Sequence, residues 1–286
     1  MNRARITLLF AALASVAILL VPSAPGQAPP TPGKGGGGGK GGGGGAKGGA
    51  AKGKGKQTPQ TAAPLDLTGT WVSVVTEDWM FRMVTPPKGQ MLGVPVTAAA
   101  RAAANAWDPA ADEAAGNQCR AFGAAGVMRL PGRIRISWAD DSTLKIETEA
   151  GTQTRLFKFG ATAEAPVLSN VAGTEASWQG VSTAEWEAAA TAAGAPRAGD
   201  LKVVTTRLKP GYVRKNGVPY SANTILTEYY DVHTADGTAD KGGDVWLVVT
   251  TQVHDPENFT TDFITSTHFK KLGANAPWRV EACSAK

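Results

Sequence analysis

Polar and apolar residues alternate over three consecutive segments near the middle of the chain. These segments are 133–138, 143–148 and 154–159, and the pairs Asp140-Asp141 and Ala150-Gly151 stand between them. A period of two puts every second side chain on the same face of a strand, and such short pairs are typical of turns. The pattern predicts a β-meander.

Comparable segments precede and follow the meander. The β-branched segment 70–76 reads as a strand, and 81–84 could extend its pairing. Further strand patterns lie in the C-terminal half, at 202–208, 212–214, 223–231, 245–254 and 263–270. We expect about eight to ten strands, connected in sequence order, within a single domain at 64–286.

Two segments have helical signals instead. Thr97 is a candidate N-cap for the alanine-rich segment that follows it, and Asp108-Pro109 would end that helix. Ser182 and Glu185 form a capping-box pattern before a second alanine-rich segment, which Gly194 would end. The second helix would belong to a helical or loop excursion near 160–200.

Many half-polar antiparallel strands need closure or stacking to protect their edges. We therefore predict a mostly β domain, an antiparallel up-and-down barrel with one or two short helices. A two-sheet sandwich is the alternative.

The segment 67–71 (LTGTW) resembles the Gly-x-Trp signature on the first strand of lipocalins, in which the tryptophan closes one end of the barrel. This resemblance implies a lipocalin-like, calycin-type barrel and a cavity for a small apolar ligand. The segments 106–109, 146–155 and 266–271 also resemble a group of uncharacterised exported bacterial proteins. That likeness implies export and a shared fold, and no activity.

The N-terminal segment has the features of an export signal. Arg3 and Arg5 precede an apolar run at 6–21, and 26–28 (GQA) fits the small-x-small cleavage rule. We expect a signal peptide at 1–28 and a periplasmic or secreted protein, with a retained anchor as the alternative. No later stretch approaches the roughly 18 apolar residues of a membrane span, so we expect no transmembrane segment after cleavage.

Residues 29–63 are of low complexity, and 33–56 contain only glycine, lysine and alanine. Such a segment has no apolar surface to bury, so we expect a disordered tether. Eight of the 29 basic residues and none of the 24 acidic ones precede residue 64, which leaves the domain with 21 basic and 24 acidic residues. This balance argues against a nucleic-acid partner. The tether lysines could contact envelope polyanions weakly, or could simply belong to a solvated spacer.

Cys119 and Cys283 are the only two cysteines. In an exported protein an even pair favours a disulfide; two buried thiols, or metal or haem ligation, are the alternatives. The chain has no Cys-x-x-Cys sequence, which excludes c-type haem attachment, and we expect no cofactor.

The three histidines, His233, His254 and His268, lie at different heights on the predicted hairpin strands, so we expect no metal site. His268 falls two strands from Glu228 and Tyr230, and these three side chains form the best candidate polar cluster. A surface or hydrogen-bonded structural histidine is the alternative.

Together these observations predict an exported, non-enzymatic binding module for a small apolar ligand. The candidate ligand contacts are Trp71, Glu228, Tyr230 and His268. A structural envelope protein is one alternative, and a hydrolase-type enzyme using Glu228, Tyr230 and His268 is another.

Overall fold

The computed structural model describes residues 57–160, 175–189, 198–234 and 243–286. The predicted signal peptide at 1–28, the tether as far as residue 56 and much of the predicted excursion near 160–200 lie outside these residues.

Nine of the strands in the described part of the chain close into a barrel, and two more form a separate hairpin. The barrel strands are β1 Gly69–Val74, β2 Arg133–Asp140, β3 Thr143–Thr148, β4 Thr154–Phe159, β5 Val181–Ala189, β6 Ala198–Thr206, β9 Ile225–Thr234, β10 Val245–His254 and β11 Phe263–Lys271, and the hairpin strands are β7 Gly211–Arg214 and β8 Val218–Tyr220. The barrel strands neighbour one another in this order, and β11 pairs with β1 again. The prediction of a mostly β barrel is confirmed.

The prediction that the barrel is strictly antiparallel and up-and-down is wrong. Nine strands cannot alternate in direction all the way round a closed ring, so at least one neighbouring pair must be parallel. That pair is β4 and β5, in register from Phe157 opposite Ser182 to Phe159 opposite Ala184, while every other neighbouring pair is antiparallel.

The α-helices are short: α1 Pro59–Ala62, α2 Trp79–Arg82, α3 Ala98–Ala106, α4 Pro109–Ala114 and α5 Ala124–Val127. Two 3-10 turns add Arg120–Phe122 and Ala150–Thr152. The helix after Thr97 is confirmed, because the Thr97 hydroxyl accepts a hydrogen bond from the Ala100 N–H at 3.2 Å. Asp108 follows that helix as expected and then caps α4. Among the described residues, no helix has the length and apolar character needed to span a membrane.

The prediction of a second helix is wrong for the residues that the structure describes. Ser182 and Glu185 belong to β5, which pairs with β6 along its whole length. Ser182 and Ala184 alternate with more exposed neighbours, so a period-two burial pattern overrides the helical propensity of the alanines. Gly194 lies outside the described residues.

Two further expectations differ from the structure. Residues 81–84 do not extend the first strand, because α2 begins at Trp79. The end of the predicted tether includes α1, which contacts the barrel: the Gln60 N–H donates to the Asp141 carbonyl at 3.2 Å, and the Trp186 indole donates to the Pro59 carbonyl at 2.9 Å.

Apolar side chains form two main clusters. One fills the barrel interior and includes Trp71, Ile146, Phe157, Leu201 and Phe269. The other joins barrel residues such as Leu226, Val253 and Phe263 to α3, α5 and the β7–β8 hairpin. We call the segment 75–132 together with this hairpin the cap, because it covers one end of the barrel.

Candidate functional site

Two of the predicted site residues belong to a polar network inside the barrel. Arg155 on β4 donates two hydrogen bonds to Glu228 on β9, from Nη1 to Oε1 at 2.9 Å and from Nη2 to Oε2 at 2.5 Å. Both side chains are completely buried. Two parallel charge-assisted hydrogen bonds are the strongest arrangement available to such a pair.

Tyr230, Thr205 and Ser182 complete the network. The Tyr230 hydroxyl donates to Glu228 Oε1 at 3.2 Å, and Arg155 Nη2 lies 3.4 Å from the Thr205 hydroxyl, which is 2.7 Å from that of Ser182. Burial raises the pKa of Tyr230 well above its usual value, and the Glu228 charge raises it further. Burial lowers the pKa of Arg155, but Glu228 outweighs this effect and the net shift is upward. The network therefore keeps Arg155 charged and Tyr230 neutral.

His268 does not join Glu228 and Tyr230. It lies between the buried Thr267 and Phe269 on β11, so its side chain points out of the barrel and is 36 % exposed. Its Nδ1 lies 3.1 Å from Glu77 Oε2. The predicted three-residue cluster does not converge, and this arrangement gives no support to a hydrolase site.

Trp71 is buried in the barrel interior. Its indole N–H donates to the Leu67 carbonyl at 3.0 Å, and Lys271 Nζ lies 5.2 Å from its ring centroid. It lines neither of the two cavities described below.

The disulfide between Cys119 and Cys283 is present, as predicted. It fixes the C-terminal segment, 272–286, to the loop after α4. Glu149 holds the same segment, because the Arg279 N–H donates to its carboxylate at 2.6 Å and the Glu281 N–H donates to its carbonyl at 3.2 Å.

A cavity of about 450 Å³ opens between the cap and this C-terminal segment. We call it the cap cavity. Its apolar walls include Phe81, Met83, Val84, Phe122, Leu130 and Val213, and its charged residues are Arg82, Arg129, Arg214, Lys215 and Glu281. A second cavity, also about 450 Å³, lies beside β4 and residues 177–182.

The three cap-cavity arginines are nearly completely buried, with side-chain exposures of 2 % for Arg82, 6 % for Arg129 and 3 % for Arg214. They share two carboxylates. Arg82 pairs with Glu77, and Arg129 donates to Asp78 at 2.7 Å. Arg214 Nη2 is 3.9 Å from the Asp78 carboxylate, which is too long for a hydrogen bond.

Several donors of this arginine cluster have no hydrogen-bond partner among the described residues. They are Arg82 Nη2, Arg129 Nη1, and Nε and Nη2 of Arg214. Burial lowers the pKa of Arg214 to about 10, and the charge of Arg129 contributes to the same shift. Burial and Arg129 also lower the pKa of Arg82, although Glu77 opposes them. The cluster is therefore short of negative charge.

Asp78 holds an unusual backbone conformation beside this cluster. Its φ of 51° and ψ of 27° are in the left-handed region, which is costly for residues with a side chain. Its carbonyl accepts hydrogen bonds from the Phe81 and Arg82 N–H groups, while its carboxylate binds Arg129. Such outliers concentrate at ligand-binding sites.

Arg82, Arg129 and Arg214 were not among the predicted site residues. The sequence held a signal for two of them, because Arg82 stands between Phe81 and Met83 and Arg129 stands between Met128 and Leu130, whereas Arg214 is followed by Lys215. Only the folded cap brings residues 82, 129 and 214 together, because they are far apart in the chain.

No family model, curated protein or solved structure matches this chain. The closed barrel is compatible with the calycin-type resemblance at the level of overall architecture.

Proposed function

We propose that this chain is an exported, non-enzymatic binding module for a small ligand with an apolar surface, and that the ligand occupies the cap cavity. The observation that carries the proposal is the wall of this cavity, where Phe81, Phe122 and Val213 line a volume of about 450 Å³ together with polar and charged side chains. Small-molecule sites are typically concavities of about 300–1,000 Å³ with mostly apolar walls and a few polar groups.

The barrel interior is a poorer candidate for the site. Trp71, Phe157, Tyr230 and Phe269 fill it as fully buried side chains. Within the proposal, the calycin-type likeness therefore describes the scaffold, and the ligand lies between the cap and the C-terminal segment.

Binding also suits the residues of the cap cavity better than acid–base catalysis. Its charged side chains are mainly arginines, which stay protonated, and none of the three histidines lines it. Met83 and Val84, 58 % and 68 % exposed, extend apolar surface to its mouth. Export rests on the predicted signal peptide, and cleavage after Ala28 is tested by N-terminal sequencing of the protein recovered from cells.

A fluorescence titration with the neutral probe N-phenyl-1-naphthylamine tests the site. Ala282→Trp places a large ring at the cavity, and we expect it to weaken probe binding about tenfold or more, since it displaces the probe from apolar contacts. Ala274→Trp changes an exposed residue of the same C-terminal segment that does not line the cavity, and it should bind like the wild type. Equal binding by both variants, or no binding by the wild type, would overturn the proposal.

A further inference from the structure

Resting on the proposed function, we infer that the ligand is an amphiphilic monocarboxylate whose carboxylate binds Arg82, Arg129 and Arg214 in the cap cavity.

The arginines are held in place on one side and lack partners on the other. Arg82 Nε donates to the Arg129 carbonyl at 2.9 Å, and Arg214 Nη1 donates to the Leu92 carbonyl at 2.9 Å. The Arg214 guanidinium also lies 4.7 Å from the Phe81 ring centroid. These contacts fix the guanidinium groups, and leave Arg82 Nη2, Arg129 Nη1 and two nitrogens of Arg214 without hydrogen-bond partners in the described structure.

Buried donors without partners are costly, so natural proteins satisfy nearly all of them. Arg82, Arg129 and Arg214 all line the cap cavity and all carry such donors, so the cavity is complementary to an anion. A carboxylate offers two oxygens with about four acceptor positions in one plane, and guanidinium groups match that geometry.

Charge balance favours a single negative charge. The cations are the three arginines and Lys215, and the facing carboxylates are Glu77, Asp78 and Glu281. The excess of one positive charge equals the charge of one carboxylate. A phosphate monoester would bring nearly two negative charges.

The apolar surface beside the arginines indicates the rest of the ligand. Met83 and Val84 line the cavity next to Arg82 and continue to its exposed mouth. A hydrocarbon chain or ring attached to the carboxylate would cover these side chains.

Displacement of N-phenyl-1-naphthylamine by decanoate and by 1-decanol at pH 8 tests the inference, because the two competitors share a chain and differ in the head group. We expect the wild type to bind decanoate about tenfold or more tightly than decanol, the range of hydrogen bonds to charged groups. Arg214→Gln and Arg129→Gln should reduce this ratio toward one by weakening decanoate binding alone. Arg101→Gln, an exposed arginine on α3 outside the cavity, should leave the ratio unchanged.

The outcomes separate the two proposals. Binding of neither probe nor competitors overturns the proposed function and this inference together. Equal wild-type affinity for decanoate and decanol overturns only the inference that the ligand carries a carboxylate. A wild-type preference that persists in both arginine variants overturns the assignment to this cluster. The wild-type ratio decides on the carboxylate even if a variant fails to fold, and Arg214→Lys then serves as the milder substitution.

Discussion

Arg155 and Glu228 stabilise the barrel only as a pair, because both are completely buried. Glu228→Gln leaves the Arg155 charge without a counter-charge, so we expect the free energy of unfolding to fall by about 3 kcal/mol or more. Glu185→Gln is the control, since it removes one of two exposed carboxylates beside Lys202 and should cost less than about 1 kcal/mol. Urea unfolding measures both. A similar cost for the two variants would contradict the importance of burial.

Tyr220 and Tyr230 are both buried, but their hydroxyl groups have opposite surroundings. The Tyr220 hydroxyl has no hydrogen-bond partner in the described part of the chain, whereas that of Tyr230 donates to Glu228. We expect Tyr220→Phe to leave the free energy of unfolding unchanged or to raise it by up to about 1 kcal/mol. Tyr230→Phe should lower it by about 1–3 kcal/mol, because Glu228 and Arg155 lose a partner. Urea unfolding of the two variants tests this difference. A larger loss of stability in Tyr220→Phe than in Tyr230→Phe would contradict the claim that the Tyr230 hydroxyl is the stabilising one.

Residue types allowed only part of the site to be predicted. Glu228 and Tyr230 are two positions apart on β9, and alternate residues of a strand share a face, so their spacing in the sequence is enough to bring them together. The sequence did not determine the face of His268, which lies one position away from the inward-facing Thr267 and Phe269. The partner of Glu228 could not be foreseen, because Arg155 is 73 residues away.

Among the elements, the C-terminal segment has no helix or strand, yet it forms one wall of the cap cavity. Its attachment depends on the disulfide, on Glu149 and on Arg135, whose guanidinium lies 4.4 Å from the Trp278 ring centroid. The segment therefore links the crosslink to ligand binding.

Replacing both cysteines by serine should lower the free energy of unfolding by about 2–5 kcal/mol, because the crosslink closes a long loop. It should also weaken N-phenyl-1-naphthylamine binding, since Glu281, Ala282 and Ser284 would lose the covalent one of their anchors. Arg135→Gln removes a noncovalent contact of the same segment, and its effect should be about 1 kcal/mol or less. Thermal unfolding and probe titration check both, and unchanged probe affinity without the disulfide would contradict this role of the segment.

The elements differ in how far local sequence determines them. The β2–β3–β4 meander follows from alternation and turns, and Gly217, with a φ of 82°, supplies the turn between β7 and β8. The alanines around Glu185 favour a helix locally, but β5 is required to fill the gap between β4 and β6. Its strand conformation comes from tertiary pairing, which no local pattern records.

For the whole molecule, the closure of the sheet into a barrel was predictable, but the relative directions of its strands were not. Strand alternation implied a barrel, whereas the parallel pair depends on how many strands close the ring and on the connection between β4 and β5. Backbone pairing at this junction extends only from Phe157–Ser182 to Phe159–Ala184, while β9 and β10 pair from end to end. The β4–β5 junction is the shortest interface between neighbouring barrel strands.

Side chains close this junction where backbone pairing is short. The Phe159 ring centroid lies 5.2 Å from that of Trp186 on β5 and 5.6 Å from that of Trp138 on β2. Trp186 also donates its indole N–H to Pro59, so α1 covers the same region. The aromatic group therefore takes part in holding the ring closed.

Hydrogen exchange should detect the difference between the short β4–β5 junction and the long β9–β10 pairing. Amides that bond across the β4–β5 junction should exchange about tenfold or more faster than those between β9 and β10, because opening the junction breaks few backbone hydrogen bonds. Trp186→Ala should accelerate exchange at the junction further and leave β9 and β10 unaffected, since it removes the ring that packs on Phe159. Phe259→Leu, which disturbs the aromatic pair of Phe259 and Phe263 in the second apolar cluster, is the control and should not change exchange at the junction. Uniform protection around the barrel, or equal acceleration everywhere in Trp186→Ala, would show that the ring opens as one unit and that the parallel pair is no weaker than its neighbours.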